Sequence, residues 1–475
     1  MPSGIGKLTR LTQLGLFVVG CGRDDARISE LENLDRLSGE LEIRNLKYLK
    51  DPCDAKKACL KQKNGIKTLV LDWSLDEEEK ELASDVEQEQ GVLSALEPPS
   101  HIESLKIKGY QGLCLPRWLM EQNGSSYCEG TTLKQTGPCQ YLSLTNLTLS
   151  HFPNLKHMRG LVKFPSLKDL KLLEMASLEE LWTTTRGFEI QEEELSAQYC
   201  FPAVSNLSIR DCPKLSTMKP YIPPSLENLC LLETNLQLLS PGNFSHLLPP
   251  PANESSSSST LHSAAPLFKQ LRIYGMKGSS SGWELLQHHT YLETLWIYDC
   301  ADLTQLPEGI RSLASLQRLH ITNCPTLGAL PEWLGELCSL RHLEVSWTRM
   351  IASLPQSTGH LTSLTKLQVE WCANLKLLPD AIQHLTSLES LDLVYCGALA
   401  ELPEGIGQLS ALRRLIIQGC PALQCLPQSI QRLSALQDLV IALCPALASR
   451  YKQGVGPDWH LVSYIPNVLI SAPED

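Results

Sequence analysis

The chain lacks any apolar run near the roughly 20 residues that cross a bilayer. Its opening, MPSGIGKLTRL, lacks the apolar core of a secretory leader. Both absences lead us to expect a cytoplasmic protein, with a nuclear pool open to it, that is not held at a membrane. Basic residues are in deficit. Lys and Arg number 41 against 52 Asp and Glu, a net charge of −11, so a cationic face for phosphate backbones is not expected, nor is nucleic acid as a partner. No Gly-x-x-x-x-Gly-Lys-Ser/Thr occurs, and no His or Cys spacing resembles a zinc site. We therefore expect no cofactor, no metal and no catalytic activity.

What is present is a period. Leu292, Leu316, Leu340, Leu364, Leu388, Leu412 and Leu436 recur at one constant interval. Each is followed three residues on by Leu (Leu295 to Leu439), two further by an aliphatic (Ile297 to Ile441), and three further by Cys. The Cys column is Cys300, Cys324, Cys372, Cys396, Cys420 and Cys444, with Thr348 its exception. L-x-x-L-x-L-x-x-C-x-x-L is the leucine-rich repeat signature. The column also absorbs much of an otherwise high count of 17 cysteines. An odd total without a leader favours reduced, buried thiols.

The rest of the chain fits the same phrase less regularly. Met1-Pro2, Ile5, Leu8 and Leu11 match Leu306-Pro307, Ile310, Leu313 and Leu316, so the chain is expected to open in mid-repeat. Strands are expected at Leu14–Leu16, Leu41–Ile43 and Leu69–Leu71, and then around Leu105, Leu147, Leu170, Leu207, Leu229 and Leu271. With the regular seven this makes sixteen. Asp51-Pro52 predicts a helix over 52–63 whose Lys56, Lys57, Lys61 and Lys63 face water. Asp76 to Gln90 reads as an exposed acidic helix or loop. Loops are expected near 76–97, 121–140, 183–200 and 240–262, the last with Pro249–Pro251 and Ser255–Ser259. The expected organisation is an irregular repeat array over 1–290, a regular one over 291–449, and a C-terminal cap over 450–475 built on Trp459, Val468 and Ile470.

Side chains alternate along a strand. Leu319 and Ile321 should therefore point inward while Arg318, His320 and Thr322 point out. L-P-x-x-I-x-x-L then returns on the far side, with Pro at the start of a helical turn. The predicted fold class is α/β: a curved leucine-rich-repeat solenoid, with a parallel β-sheet on the concave face and 3-10 or short helices and loops on the convex face. Its freely variable residues are those pointing out. Candidate protein-binding positions are Trp296, Tyr298, Arg318, His320, His342, Glu344, Lys366, Glu370, Asp392, Arg414 and Gln418. A second row, Trp347, Trp371 and Tyr395, stands just before the Cys column, in register on successive strands. Aromatics flanked by Arg and Glu suit a protein interface; equally, the three could stack on one another and shield the turn. His320, His342 and Asp392 otherwise read as ordinary solvated surface.

Gly39 to Ser74, GELEIRNLKYLKDPCDAKKACLKQKNGIKTLVLDWS, resembles the opening repeats of the LRR region in plant intracellular coiled-coil NLR disease-resistance proteins, of the R13L1/RGA-like kind. The phrase LPxxIxxLxSLxxLxIxxC and the ending GPDWHLVSYIPNVLI resemble that family too. The resemblance implies a repeat region that follows a coiled-coil module and a nucleotide-binding switch. It implies a contribution to autoinhibition of that switch, and recognition of a pathogen effector or of the host protein it alters. Neither upstream module is in this sequence, which is expected to be a fragment or truncated product. The alternative is a stand-alone intracellular LRR scaffold, similar to the Ras-group-related LRR proteins.

Overall fold

The computed structural model describes residues 1–22, 24–74, 86–120, 141–158, 161, 164–182, 201–219, 223, 225–240, 243, 268–276 and 282–471. The chain divides into two compact units, Met1–Pro266 and Leu267–Asp475. The expected loops at 121–140 and 183–200 lie outside the described residues, as does nearly all of 240–262.

In the first unit the strands are β1 (Leu16–Val18), β2 (Ser38–Arg44), β3 (Gly65–Asp72), β4 (Ser104–Lys108) and β5 (Asn146–Ser150), then β6 (His157–Met158), β7 (Asp169–Leu173), β8 (Glu180–Trp182), β9 (Asn206–Arg210), β10 (Thr217–Lys219) and β11 (Asn228–Leu232). A parallel sheet runs in chain order through β1, β2, β3, β4, β5, β7, β9 and β11. On the return path β6, β8 and β10 form a second parallel sheet. That sheet was not expected. These repeats carry no L-P-x-x-I-x-x-L phrase, so without its proline their return segments stay extended and pair with one another.

The column filled by Cys in the regular repeats is filled here by Tyr110, Phe152, Met175, Cys212 and Thr234, all buried. Trp73, Tyr110 and Phe152 touch edge-to-face at 5.9 and 5.3 Å. Burial pushes the Tyr110 hydroxyl well above its ordinary range.

Two expectations in this unit change. The helix expected over 52–63 is an α-helix only at Pro52–Lys57, with Asp51 Oδ1 accepting from the Cys53 N–H at 2.8 Å, and it gives way to a 3-10 turn at Leu60–Gln62. Lys63 is not on a solvated face. It is fully buried, its Nζ 3.7 Å from Asp35 and 3.5 Å from the Glu32 carbonyl, and burial lowers its pKa. Of the acidic stretch Asp76 to Gln90, residues 76–85 lie outside the described residues; from 86 on, where a loop near 76–97 was also expected, the chain is an α-helix at Val86–Ala95. Its Glu89 turns inward to accept from the Gln111 N–H at 2.8 Å, and burial raises its pKa.

The second unit is regular. Strands β12 (Gln270–Tyr274), β13 (Thr294–Tyr298), β14 (Arg318–Thr322), β15 (His342–Ser346), β16 (Lys366–Glu370), β17 (Ser390–Val394), β18 (Arg414–Gln418), β19 (Asp438–Ala442) and β20 (Asn467–Ser471) pair in parallel. Fifteen of the sixteen expected strands form in place; the first, expected at Leu14–Leu16, lies instead at Leu16–Val18, where Phe17 and not Leu16 takes the buried place beside Ile43. The cap segment supplies a further one, because Val468 and Ile470 take the register places of Leu439 and Ile441.

From β13 to β19 the inward Leu and aliphatic of each strand, and every Cys of the column, are buried. The thiols donate to strand carbonyls one repeat back, Cys372 to Val345 and Cys396 to Val369, both at 3.5 Å. Thr348 holds the missing place with its hydroxyl 3.1 Å from Cys372 Sγ. The cysteines among the described residues are free thiols.

The return path consists of five-residue 3-10 turns, each entered through an extended proline: Pro307, Pro331, Pro355, Pro379, Pro403 and Pro427. The residue after the proline ties one turn to the next. Glu332 accepts from the Ser357 and Gln356 N–H groups at 2.9 and 3.3 Å; Glu404 accepts from Ser429 and Gln428 at 3.0 and 3.2 Å. These are N-terminal N–H groups with no partner inside their own turn. At Gly359 a Cβ would stand 2.4 Å from the Ala381 carbonyl, so the turns pack backbone to backbone.

The Ser357 N–H holds the Glu332 carboxyl below its ordinary range. A lowered folded-state pKa stabilises above the unfolded value, about 4.3, and that contribution is lost as pH falls through the folded value. Replacing Glu332 and Glu404 together by Gln removes the charge and one of the two accepting oxygens at each site. We expect a loss of about 0.5 kcal/mol per site at neutral pH, after allowing for solvent screening of exposed groups. The loss should shrink as pH falls through the lowered folded-state values and the wild-type carboxyls take up protons. Thermal melts of both proteins across that range check this.

Candidate binding face

The register of the second unit converts the constant repeat interval into columns. Arg272, Trp296, His320, Glu344, Gln368 and Asp392 occupy one column on six successive strands. Parallel strands lie about 4.8 Å apart, so neighbours in a column must touch. The Arg272 guanidinium sits 4.1 Å over the Trp296 ring. Trp296 stacks on His320 at 5.3 Å and 12°. His320 Nδ1 lies 2.8 Å from Glu344 Oε2 and meets the His342 ring edge-on at 4.8 Å. His342 Nε2 lies 2.8 Å from Gln368 Oε1, and Gln368 Nε2 donates to Glu370 at 3.3 Å.

Further along, Asp392 accepts from the Ser390 hydroxyl at 3.0 Å and faces Lys366 Nζ at 3.9 Å. Arg318 donates to the Thr294 hydroxyl at 3.1 Å. Tyr298 stacks on Tyr274 at 4.8 Å, and burial pushes its hydroxyl up to about 12. Arg414 is exposed and Gln418 half-buried, away from this network.

The outward residues are thus less solvated than strand alternation alone suggests. His320, Asp392, Thr294 and Ser346 are buried. Their neighbours one strand away cover them, which corrects the expectation that His320 and Asp392 are ordinary solvated surface. The same crowding sets the charges. The hydrogen bond to His320 holds the Glu344 carboxyl below its usual range. Burial lowers the pKa of His342 and raises that of Glu370. Arg272 and Tyr274 were not among the candidate residues. Continuing the repeat register one unit back from Trp296 and Tyr298 would have found them.

The second row is a stack. Trp347 and Trp371 lie 4.4 Å apart at 10°, and Trp371 and Tyr395 lie 3.9 Å apart at 18°. Trp347 is 40% and Trp371 37% exposed, high for tryptophan in an otherwise well-buried array. Their backbone is equally unusual. The residue after each strand from β12 to β19 adopts the left-handed conformation: Gly275, Asp299, Asn323, Trp347, Trp371, Tyr395, Gly419 and Leu443, with φ between 52 and 63°. That conformation turns the chain while its N–H still reaches the next strand, as Trp371 does to the Val394 carbonyl at 2.7 Å. Asn, Asp and Gly suit it; bulky side chains do not. Three consecutive aromatics there are a strained choice, offset in part by their stacking, which contributes about 0.5–1.5 kcal/mol per pair. The stack ends on Gly419, where a Cβ would come within 2.5 Å of the Tyr395 ring.

Residues 28–175 match the sequence model of a family described as R13L1/DRL21 LRRs. The chain is 37% identical over 118 residues to the putative disease resistance protein RGA1 of Solanum bulbocastanum, an alignment covering 25% of this chain and 11% of the relative. Over 197 residues it is 30% identical to disease resistance protein RGA2 of the same species, covering 42% of this chain and 17% of the relative. Over 247 residues it is 28% identical to the putative disease resistance RPP13-like protein 1 of Arabidopsis thaliana, covering 47% and 22%. The chain spans less than a quarter of the length of these relatives, and what it aligns with is a leucine-rich-repeat region.

If the aromatic row is kept for something other than the turn, a better turn residue should replace it without harm to the fold. We expect Trp371→Asn, which copies the native Asn323, to change stability by no more than about 1 kcal/mol, the lost stacking being offset by relief of the left-handed backbone. Circular dichroism and thermal melting check this. A loss above about 3 kcal/mol, the size of a core truncation, would show the row to be a structural element.

Proposed function

We propose that this chain, whose repeats are similar to those of plant disease-resistance proteins, is the recognition region of an immune receptor. It binds protein, either a pathogen effector or a host protein that an effector alters, through the open face of its regular sheet. It also packs against a nucleotide-binding switch to hold that switch inactive. The match of residues 28–175 to the R13L1/DRL21 repeats supports the setting. The single observation that supports binding is the exposed stack of Trp347, Trp371 and Tyr395, placed where the backbone would be more stable with Asn or Gly. Strained residues are retained where function needs them, and aromatic anchors beside charged groups carry most of the energy at protein interfaces. The polar network from Arg272 to Asp392 gives the face its specificity: its hydrogen-bonding groups are already oriented, so little order is lost on docking. We assign the face no catalytic role; the reading is one of binding alone.

Co-expression in leaf tissue tests both halves. The chain should co-precipitate with the coiled-coil and nucleotide-binding modules of a relative such as RGA2, and should suppress the cell death that an autoactive form of those modules triggers. A Trp347→Asn, Trp371→Asn, Tyr395→Asn variant of unchanged stability should lose at least 10-fold in affinity for whatever protein the face binds. If the wild-type chain neither co-precipitates with the switch nor suppresses its activity, the autoinhibitory role is wrong. If the triple variant keeps every interaction of the wild type, binding does not run through the aromatic row.

A further inference from the structure

The centre of the polar column holds an arrangement that hydrogen bonding alone does not require. One nitrogen each from His320 and His342 and a carboxylate oxygen of Glu344 lie within 4.8 Å of one another, on two adjacent strands. The three residues come from positions i and i+2 of one strand and the central position of its neighbour, so the backbone register fixes their separation. We propose that His320, His342 and Glu344 form a binding site for a divalent transition-metal ion of the zinc type.

The donor set supports that class. Two imidazoles and one carboxylate suit zinc and its neighbours. Calcium and magnesium prefer all-oxygen shells. A tetrahedral ion with bonds of about 2.0–2.1 Å needs its donors about 3.4 Å apart. His320 Nδ1 and Glu344 Oε2, now 2.8 Å apart around a shared proton, would separate slightly as the metal replaces that proton. The widest pair, at most 4.8 Å apart, closes by about 1.4 Å, within reach of side-chain rotations.

The surrounding groups are arranged as outer-shell partners are. Ser346 Oγ donates to the other Glu344 oxygen at 3.1 Å. The Glu370 carboxylate accepts from Gln368 Nε2, which fixes the Gln368 amide with its oxygen toward His342. His342 Nε2 therefore carries the proton and Nδ1 keeps its lone pair. Trp296 stacks on His320 and Arg272 lies over Trp296, which closes one side of the site. His342 and Glu344 are half-exposed, so an ion can enter and a water can complete the coordination. The cysteines of the repeat column are buried on the inner side of the sheet and cannot contribute.

Cobalt(II) is the probe, since its visible absorption reports ligand type and geometry. The intact chain, with exposed thiols such as Cys21, Cys53, Cys338 and Cys425 blocked by alkylation, is titrated with cobalt chloride and then with zinc chloride. The expected result is one equivalent of tetrahedral cobalt without a sulfur-to-metal charge-transfer band, displaced stoichiometrically by zinc. His342→Ala and Glu344→Gln should each weaken binding at least 10-fold. Gln368→Ala, which touches no metal, should weaken it about 10-fold through the His342 tautomer, and circular dichroism should show all three variants folded. An absence of saturable cobalt binding to the wild type would overturn the site. So would binding that His342→Ala and Glu344→Gln leave unchanged in folded protein.

Discussion

In the regular unit the controlling constraint is the left-handed residue that follows each strand. It lets one N–H continue the parallel ladder while the chain turns inward, as Asn323 does to the Ser346 carbonyl at 2.9 Å and Tyr395 does to Gln418 at 2.6 Å. The next residue must then point into the core, and it is Cys in six of seven repeats. A thiol is small enough to stack at strand spacing and can donate to a carbonyl that the sheet leaves over. With the turn and the column fixed, the strand before and the 3-10 turn after have little freedom, and every repeat closes at the same length.

The same constraint explains the two features of the face. Identical register places like positions side by side, so any outward residue is read together with its neighbours one repeat away. Trp296, His320, Glu344 and Gln368 form a continuous network for that reason. The left-handed position is where a side chain leaves the sheet edge at a fixed angle. Three aromatics there stack into a rigid, half-exposed rib. Rigidity matters for recognition because ordering cost is met during folding and not at docking.

The first unit shows what happens when the pattern loosens. Its inner column mixes Tyr110, Phe152, Met175, Cys212 and Thr234, so repeats differ in depth and length. On its return path β6, β8 and β10 pair as short strands, where the second unit has isolated parallel bridges, Gln305 with Ala329 and Ser353 with Leu377, ahead of its 3-10 turns. The specific sequence likeness to the R13L1/DRL21 repeats lies in this irregular unit, whereas the regular unit carries the more ordered face.

The sequence alone determined the repeat, its period, fifteen of the sixteen expected strands, and the buried Leu and Cys columns of the regular repeats. Each follows from periodicity, and periodicity in sequence is periodicity in space once strands pair in register. It also placed Trp347, Trp371 and Tyr395 side by side. Tertiary structure decided how much water each residue meets. His320, Asp392 and Lys63 were expected to be solvated and are buried, because burial depends on the size of neighbours one repeat or one helix away and not on a residue's own alternation. It also decided that Val468 and Ile470 add a strand, since no Leu phrase marks that segment. The meeting of His320, His342 and Glu344 needed side-chain directions as well as register. The repeat interval signals that their strands are adjacent, but only the folded sheet shows that three donors converge on one point.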